Sequence, residues 1–151
     1  MSGSRQFCTF HIADLFVGID VHHVQEILRF QPMSRVPRAP RAVSGLINLR
    51  GQIVTTIDLR FRLGLPARTD EHSPMNVVVR DLDNAVSLLV DRIGDVLEVA
   101  DDLCEPPPAT VEAHIRSLIV GTYKLPDQLL LVLDHERLLT LDDADQRRLA
   151  S

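Results

Sequence analysis

An internal repeat is the feature that most constrains the fold of this chain. Residues 45–58, GLINLRGQIVTTID, align without a gap with residues 121–134, GTYKLPDQLLLVLD. A looser match pairs residues 24–28 with residues 93–97. A repeat of this kind indicates two copies of one small structural unit. Because a core of half this chain would be marginal by itself, we expect the two units to share a buried interface.

Short apolar segments separated by turn signals predict about ten strands in two groups of five. Two hairpins are the clearest, one over residues 43–58 with its turn at Arg50-Gly51, the other over residues 123–133 around Pro126-Asp127. Further strands are predicted at residues 7–12, 15–19, 75–82, 85–90 and 93–99, with a turn at Asp83-Asn84, a linker over 65–74 and a short edge strand within 34–36.

Closing each group of strands into a barrel would remove the exposed edges that otherwise invite aggregation. We therefore predict an all-β fold with a few short helices, built as two packed five-stranded β-barrels. In this prediction the chain 1–151 is a single domain, residues 5–66 form mainly the first barrel, and residues 75–140 form mainly the second.

Three aspartates, Asp20, Asp58 and Asp134, are placed to cap short helices with their side chains. The second and third helices are predicted to end near Gly64 and Leu139, and a further helical turn is predicted within residues 109–117. The first helix is predicted from apolar positions at helical spacing: Val21, Val24, Ile27 and Leu28.

Composition and charge narrow the function classes. Hydrophobic residues make up 45% of the chain and aromatic residues 4%, without tryptophan, which is ordinary for a globular protein carried by Leu, Val and Ile. No apolar run approaches the ~18 residues of a membrane helix, and the first residues lack a signal-peptide pattern. We expect a cytoplasmic protein in which Cys8 and Cys104 are free thiols.

Charge is distributed unevenly along the chain. Residues 1–68 carry nine arginines and four acids, a balance of +5, whereas residues 69–151 carry seven basic residues and seventeen acids, a balance of −10. An arginine-rich segment in a small barrel leaves nucleic-acid binding through residues 29–68 open as an alternative function. The net charge of −5, the single lysine and the scarcity of aromatic residues argue against it.

No pattern in the chain indicates catalysis, a cofactor or a metal. There is no phosphate-binding loop or dinucleotide-binding glycine run. Adjacent histidines such as His22 and His23 would point about 100° apart on a helix and could not share one metal from a single face. Cys104 lies in no motif for an activated thiol. We therefore predict a protein without enzymatic activity, in which Glu26 and Arg50 are candidates for recognition.

Several segments, in order, resemble the CheW family of bacterial chemotaxis adaptors. They are FVGIDVHHVQEIL, VPRAPRAVSGLINLRGQIVTTIDLRFRLG, LLVDRIGDVLEV and LLLVLDHERLL, and together they span roughly residues 5–140. The resemblance implies two packed five-stranded barrels and no catalysis. It also implies coupling of the cytoplasmic tip of a chemoreceptor (a methyl-accepting chemotaxis protein) to the regulatory domain of a CheA-type histidine kinase, possible contact with other CheW-like copies, and recruitment to membrane-associated receptor arrays.

The resemblance also implies which residues contact partners. Val24, Glu26 and Ile27 match the family's V-x-E-I pattern, and the residues of the N-L-R-G pattern are found at the hairpin turn. A V-D pair falls in the second half of the chain. The implied partner-binding residues are Val24, Glu26, Ile27, Asn48, Arg50, Gly51, Val90 and Asp91.

Overall fold

The computed structural model describes residues 3–69, 73–81 and 84–140. Ten strands run through these residues: β1 (Ser4–Ile12), β2 (Leu15–Asp20), β3 (Val24–Arg29), β4 (Val43–Leu49), β5 (Gln52–Asp58), β6 (Met75–Asp81), β7 (Asn84–Val90), β8 (Arg92–Ala100), β9 (Ile119–Lys124) and β10 (Leu129–Leu133). The helices in the same residues are α1 (Leu59–Arg62), α2 (Ala113–Arg116) and α3 (His135–Leu139), with 3₁₀ turns at Val21–His23 and Asp101–Leu103.

The strands form two five-stranded sheets, as the sequence predicted. Sheet one has the order β8-β1-β2-β10-β9, and sheet two has the order β3-β6-β7-β5-β4. Each sheet is antiparallel except for one central parallel pair, β2 with β10 in sheet one and β5 with β7 in sheet two. The all-β class with a few short helices is therefore confirmed.

The internal repeat is present in the topology. Strands β1 to β5 correspond in order to β6 to β10, and corresponding strands occupy corresponding places in the two sheets. However, the copies exchange their first hairpins: β1 and β2 lie in sheet one beside β8 to β10, and β6 and β7 lie in sheet two. The predicted division, with residues 5–66 forming mainly one barrel and residues 75–140 mainly the other, stays a prediction. Three of the five strands of each half, β3 to β5 and β8 to β10, share a sheet, and the chain crosses between the sheets after β2 and again after β7.

The predicted closed barrels need correction, because the two edge strands of each sheet do not pair with each other. Instead, the segment that follows one edge strand reaches the other. The backbone of Ser34 exchanges hydrogen bonds of 2.9 and 2.8 Å with Leu46 of β4, and Glu105 exchanges two of 2.8 Å with Thr122 of β9. Prolines flank both contacts, at Pro32 and in residues 106–108, and proline cannot donate to a longer ladder.

The helix predicted after Asp20 is wrong beyond its first turn. Asp20 does cap the 3₁₀ turn, accepting the N–H of His22 at 2.9 Å, but residues 24–29 continue as strand β3. The β-branched residues Val24 and Ile27 suit a strand, and burial alternates along it as expected for an edge strand with one face packed. The caps predicted at Asp58 and Asp134 are confirmed.

One hydrophobic core joins both sheets, as expected for units too small to stand alone. It contains Phe10 and Val17 of sheet one, Val77 and Leu88 of sheet two, and Leu138 of α3, all fully buried. A smaller hydrophobic cluster is formed by buried side chains of sheet one alone: Phe7, Phe16, Tyr123, Leu130 and Val132.

Two further elements predicted from the sequence are present in the structure. The strand over 93–99 and the helical turn within 109–117 are confirmed by β8 and α2. Residues 70–72 of the predicted linker, and residues 82–83 at the predicted turn before Asn84, lie outside the described residues. Cys8 is buried, Cys104 is exposed, and both are free thiols. Within the described residues, no helix is long and apolar enough to cross a membrane.

Candidate functional site

Six of the eight predicted contact residues lie at one end of sheet two, where edge strand β3 meets the tip of the β4–β5 hairpin. We call this region the hairpin rim. It brings together residues from two separate segments of the sequence: Val24, Glu26, Ile27, Asn48, Arg50 and Gly51.

A β-bulge in β3 sets the position of Glu26. Val24 lies opposite Val79 of β6 and Glu26 lies opposite Val78, so one extra residue is inserted into β3 between them. A bulge of this kind bends the strand and redirects the side chains beside it. Val24, Glu26 and Leu28 are consequently half-buried, and Ile27 between them is exposed.

Glu26 forms an ion pair across the rim with Arg50, whose Nη2 donates to its Oε2. The two partners differ in exposure: 19% of the Glu26 side chain is accessible but 71% of the Arg50 side chain. The second carboxylate oxygen of Glu26, Oε1, is buried and accepts no hydrogen bond from any residue that the structure describes. The rim therefore presents an exposed guanidinium held over a largely buried carboxylate.

The turn that carries Arg50 is built for a two-residue hairpin. Arg50 and Gly51 both have positive φ, 52° and 85°, as the turn type that matches strand twist requires. Asn48 fixes the turn, because its Oδ1 accepts the N–H of Gly51 at 2.9 Å. The backbone of the turn places Arg50 at the tip of the hairpin, and the ion pair with Glu26 orients its side chain.

Exposed apolar side chains also occur on the elements that carry the ion pair. Ile27 follows Glu26 in β3, points to the opposite face of the strand and is 37% exposed, and Ile53, the second residue after the turn, is 65% exposed. Phe30, just after β3, is 41% exposed. Ile53 was not among the predicted contact residues, although its place opposite Asn48 in the hairpin follows from the turn position. Exposed apolar side chains together with an exposed arginine are typical of a protein-binding surface.

Val90 and Asp91 lie elsewhere, and their surroundings differ from those of the rim. The side chain of Val90 is fully buried in the shared core, so it is not accessible for direct contact with a partner. Its role is to pack the two sheets together. Asp91, at the crossing from sheet two to sheet one, is 17% exposed in its side chain and lines a cavity of about 370 Å³.

Asp91 is the centre of an ion-pair network. It accepts from Arg60 Nη2 at 2.5 Å, from Arg68 Nη2 at 3.0 Å and from the N–H of Ala13 at 2.7 Å. Burial raises the pKa of the Asp91 carboxyl, but hydrogen bonds from Arg60 and Ala13, with the nearby positive charges, outweigh burial and leave the pKa below its usual value. The same bond to Asp91 raises the pKa of Arg60. The network ties the β1–β2 turn to α1.

Three of the eight arginines in residues 29–68 are engaged inside the molecule. Arg60 and Arg68 bind Asp91, and Arg62 is buried against the end of α3, where it donates to the carbonyls of Arg137, Leu138 and Thr140 at 2.8 to 3.0 Å. These three guanidinium groups are therefore engaged within the molecule and are less available to neutralise the phosphates of a nucleic acid. The alternative of nucleic-acid binding through this segment is correspondingly weakened.

The histidine pair predicted to be unsuited to metal binding has other contacts. His22 Nδ1 lies 2.7 Å from Asp20 Oδ1, and the His23 ring stacks on His135 of α3 at 3.9 Å between centroids. Burial and the nearby His135 lower the pKa of His23. In the part of the chain that the structure describes, no three His, Cys, Asp or Glu side chains are grouped to hold a metal ion.

Comparison with known proteins gives a consistent family. The profile of the CheW-like domain matches residues 6–143. The chain is 27% identical to the probable chemotaxis protein CheW of Rhizobium etli, over 95% of this chain and 92% of that protein. It is 34% identical to the chemotaxis protein CheW of Bacillus subtilis, over 81% and 78% respectively. The crystal structure of the scaffolding protein TtCheW from Thermoanaerobacter tengcongensis superposes with a TM-score of 0.79, at 26% identity, covering 87% of this chain and 90% of that one.

Proposed function

The chain belongs to the CheW-like domain family, and from this premise we propose that it is a non-catalytic adaptor in chemotaxis-type signalling. It couples the cytoplasmic tip of a chemoreceptor to the regulatory domain of a CheA-type histidine kinase, and it contacts other CheW-like copies. It acts in the cytoplasm and is recruited to membrane-associated receptor arrays.

The hairpin rim is the observation that carries this proposal. A solvent-exposed ion pair contributes only about 0–1 kcal/mol to stability, and here Arg50 is 71% exposed. Its contribution to folding is consequently small, and the guanidinium remains accessible to a second acceptor. Ile53, on the hairpin that carries Arg50, and Ile27 of β3 add exposed apolar area to the same elements. Such a surface suits a protein partner that brings an apolar strip and a polar group.

Glu26 fixes the position of this donor. Its Oε2 accepts from Arg50 Nη2, and only 19% of the Glu26 side chain is accessible. The rim therefore offers a partner one exposed donor, Arg50, at a fixed position.

The test is charge reversal at Arg50. We expect Arg50→Glu to fold normally but to lower the co-sedimentation of kinase with receptor-containing membranes by about tenfold or more, the effect of losing one good charged contact at an interface. Arg41→Glu is the matched control, because Arg41 is also exposed and lies at the opposite end of β4 from the hairpin tip. Normal co-sedimentation with Arg50→Glu would count against the proposal.

A charge swap separates a contact role from a folding role. In the double variant Glu26→Arg with Arg50→Glu, the ion pair is kept but its polarity is reversed. If the pair only stabilises the rim, the swap restores coupling. If the rim contacts a partner, coupling stays impaired although the unfolding free energy is close to that of the unaltered protein. We expect the second result, with stability read by urea unfolding and coupling by kinase autophosphorylation in the presence of receptor.

A further inference from the structure

A cavity of about 460 Å³ opens at the end of sheet one that corresponds to the hairpin rim of sheet two. Strands β1, β2 and β8 and the β9–β10 turn surround it. Its apolar lining comes from Phe16, Ile93, Leu97 and Leu125, and two carboxylates, Asp95 and Asp127, also line it. None of the described lining residues is a lysine or an arginine.

The internal repeat relates this cavity to the ion pair of the rim. When residues 24–28 of β3 are aligned with residues 93–97 of β8, Glu26 corresponds to Asp95. The bulge is repeated as well, since Ile93 lies opposite Phe10 and Val96 opposite Cys8, which leaves two residues of β8 facing one of β1. Asp95 therefore occupies the place in sheet one that Glu26 occupies in sheet two.

The partner of the carboxylate is not repeated. When the hairpin of residues 45–58 is aligned with that of residues 121–134, Arg50 corresponds to Pro126, which lines the cavity. Both sheets thus have a carboxylate at this position. In sheet two the hairpin supplies a guanidinium to it, whereas in sheet one a proline stands at the place of that arginine. Eight of the eleven lining residues belong to residues 69–151, which have a charge balance of −10, so the surrounding field also favours a cation.

We infer that this cavity binds an alkylguanidinium group, the side chain of an arginine, supplied by another molecule. The planar guanidinium can meet a carboxylate with two parallel hydrogen bonds and lie against the aromatic ring of Phe16, while its methylene stem covers Leu97 and Leu125. A lysine ammonium matches this lining less well, because it can neither stack nor bind in a fork.

The imidazole of His11, which also lines the cavity, does not oppose a cation there. Its ring is packed against Phe16, with 5.0 Å between centroids. Burial, followed by the charge of Arg92, lowers the pKa of His11 below its ordinary value, which favours the neutral imidazole. Arg92, at the start of β8, acts on His11 but does not line the cavity, and the charged side chains that do line it from β8 and from the β9–β10 turn are Asp95 and Asp127.

The test is an NMR titration of the ¹⁵N-labelled protein with the capped peptide acetyl-Gly-Arg-Gly-amide. We expect saturable shifts of the amides of Gly94, Leu97 and Gln128 with a dissociation constant in the millimolar range, the scale of one charged contact with some apolar burial. The matched peptide with citrulline in place of arginine has the same shape without the charge and is expected to bind at least about tenfold more weakly. Equal binding of the two peptides would overturn the inference.

Variants of the protein provide the second arm. Asp95→Asn should weaken binding of the arginine peptide about tenfold, and Asp102→Asn, which removes an exposed charge outside the cavity, should leave it unchanged. A dispersed spectrum of Asp95→Asn shows that it is folded. Unchanged binding by this variant, or no saturable shift with about 50 mM arginine peptide, would also overturn the inference.

The source of the guanidinium is decided by comparing the peptide with agmatine, which has the same side chain without a polypeptide backbone. Binding of either supports the cavity as a guanidinium site. We expect the peptide to bind at least as tightly as agmatine, which assigns the ligand to a protein surface; tighter binding of agmatine assigns it to a small metabolite.

Discussion

At the scale of single residues, Asp91 shows how a position matched by family pattern can have a structural role. Its carboxylate receives Arg60, Arg68 and the N–H of Ala13, which lie on three separate segments. With 17% of its side chain accessible, it is largely withdrawn from solvent. We propose that Asp91 contributes to partner binding indirectly, by fixing the position of α1 through Arg60.

The stability that Asp91 supplies should depend on pH. The pKa of its carboxyl is lowered in the folded protein, and an aspartate in an unfolded chain titrates near about 3.9. Its stabilising effect is therefore fully present above pH ~4 and is lost as the pH falls through the folded-state pKa. We expect Asp91→Asn to lower the free energy of unfolding at pH 7 by ~1–3 kcal/mol, and the difference from the unaltered protein to shrink below pH 4.

Urea unfolding at pH 7, 5 and 3.5, followed by circular dichroism, measures this difference. Asp102→Asn serves as the control, because Asp102 is exposed and its removal should change stability by less than about 0.5 kcal/mol. A difference for Asp91→Asn that is constant across the three pH values would show that the lost stability does not come from the ionised carboxylate.

At the scale of elements, the repeated glycines Gly45 and Gly121 have a common cause. Each lies in the edge strand over which the closing segment of its sheet passes. A Cβ at Gly45 would lie 2.7 Å from the backbone oxygen of Ser34, and one at Gly121 would lie 2.6 Å from Cys104 Sγ. The glycine at the start of the repeated sequence is thus required by the contact that completes each sheet.

We expect the two corresponding alanine variants to differ. In Gly45→Ala the clash is with a backbone that is held by two hydrogen bonds to Leu46, so relief must break them, and we expect a loss of ~1–3 kcal/mol. In Gly121→Ala the nearest atom belongs to a side chain, so Cys104→Ala should recover most of the loss in the double variant. Urea unfolding of the four proteins measures both effects, and a Gly45→Ala loss below about 0.5 kcal/mol would contradict this account.

Local signals in the sequence were sufficient for most elements and insufficient for β3. The hairpin at Arg50-Gly51 and the caps at Asp58 and Asp134 depend on neighbouring residues, and each was predictable. Residues 24–29 satisfy a helical spacing as well as a strand, and the outcome is decided by pairing with β6, which is distant in the sequence. The Glu26–Arg50 contact has the same origin, because it needs the two edges of sheet two to meet.

At the scale of the whole molecule, exchange of the first hairpins makes the two halves interdependent. Residues 1–69 supply β1 and β2 to sheet one and β3 to β5 to sheet two, but in sheet two β6 and β7 lie between β3 and β5. Residues of both sheets also share one core, which includes Phe10, Val77 and Leu138. The repeat predicted two like units, but the sequence could not show which hairpin belongs to which sheet, because corresponding strands carry similar patterns.

This interdependence predicts that the chain can be divided between the repeats and reassembled. A fragment of residues 1–69 and a fragment of residues 70–151 should each be largely unfolded alone, since each lacks the neighbours of its central strands. Mixed in equal amounts, they should form a one-to-one complex with the dispersed NMR spectrum of the intact chain and about micromolar or tighter affinity, given an interface that includes most of the core.

A pair divided within β6, between Val78 and Val79, is the control and should reassemble poorly, because the cut interrupts a central ladder. A folded spectrum from either fragment of the first pair alone would mean that the halves are autonomous and that hairpin exchange does not hold the molecule together.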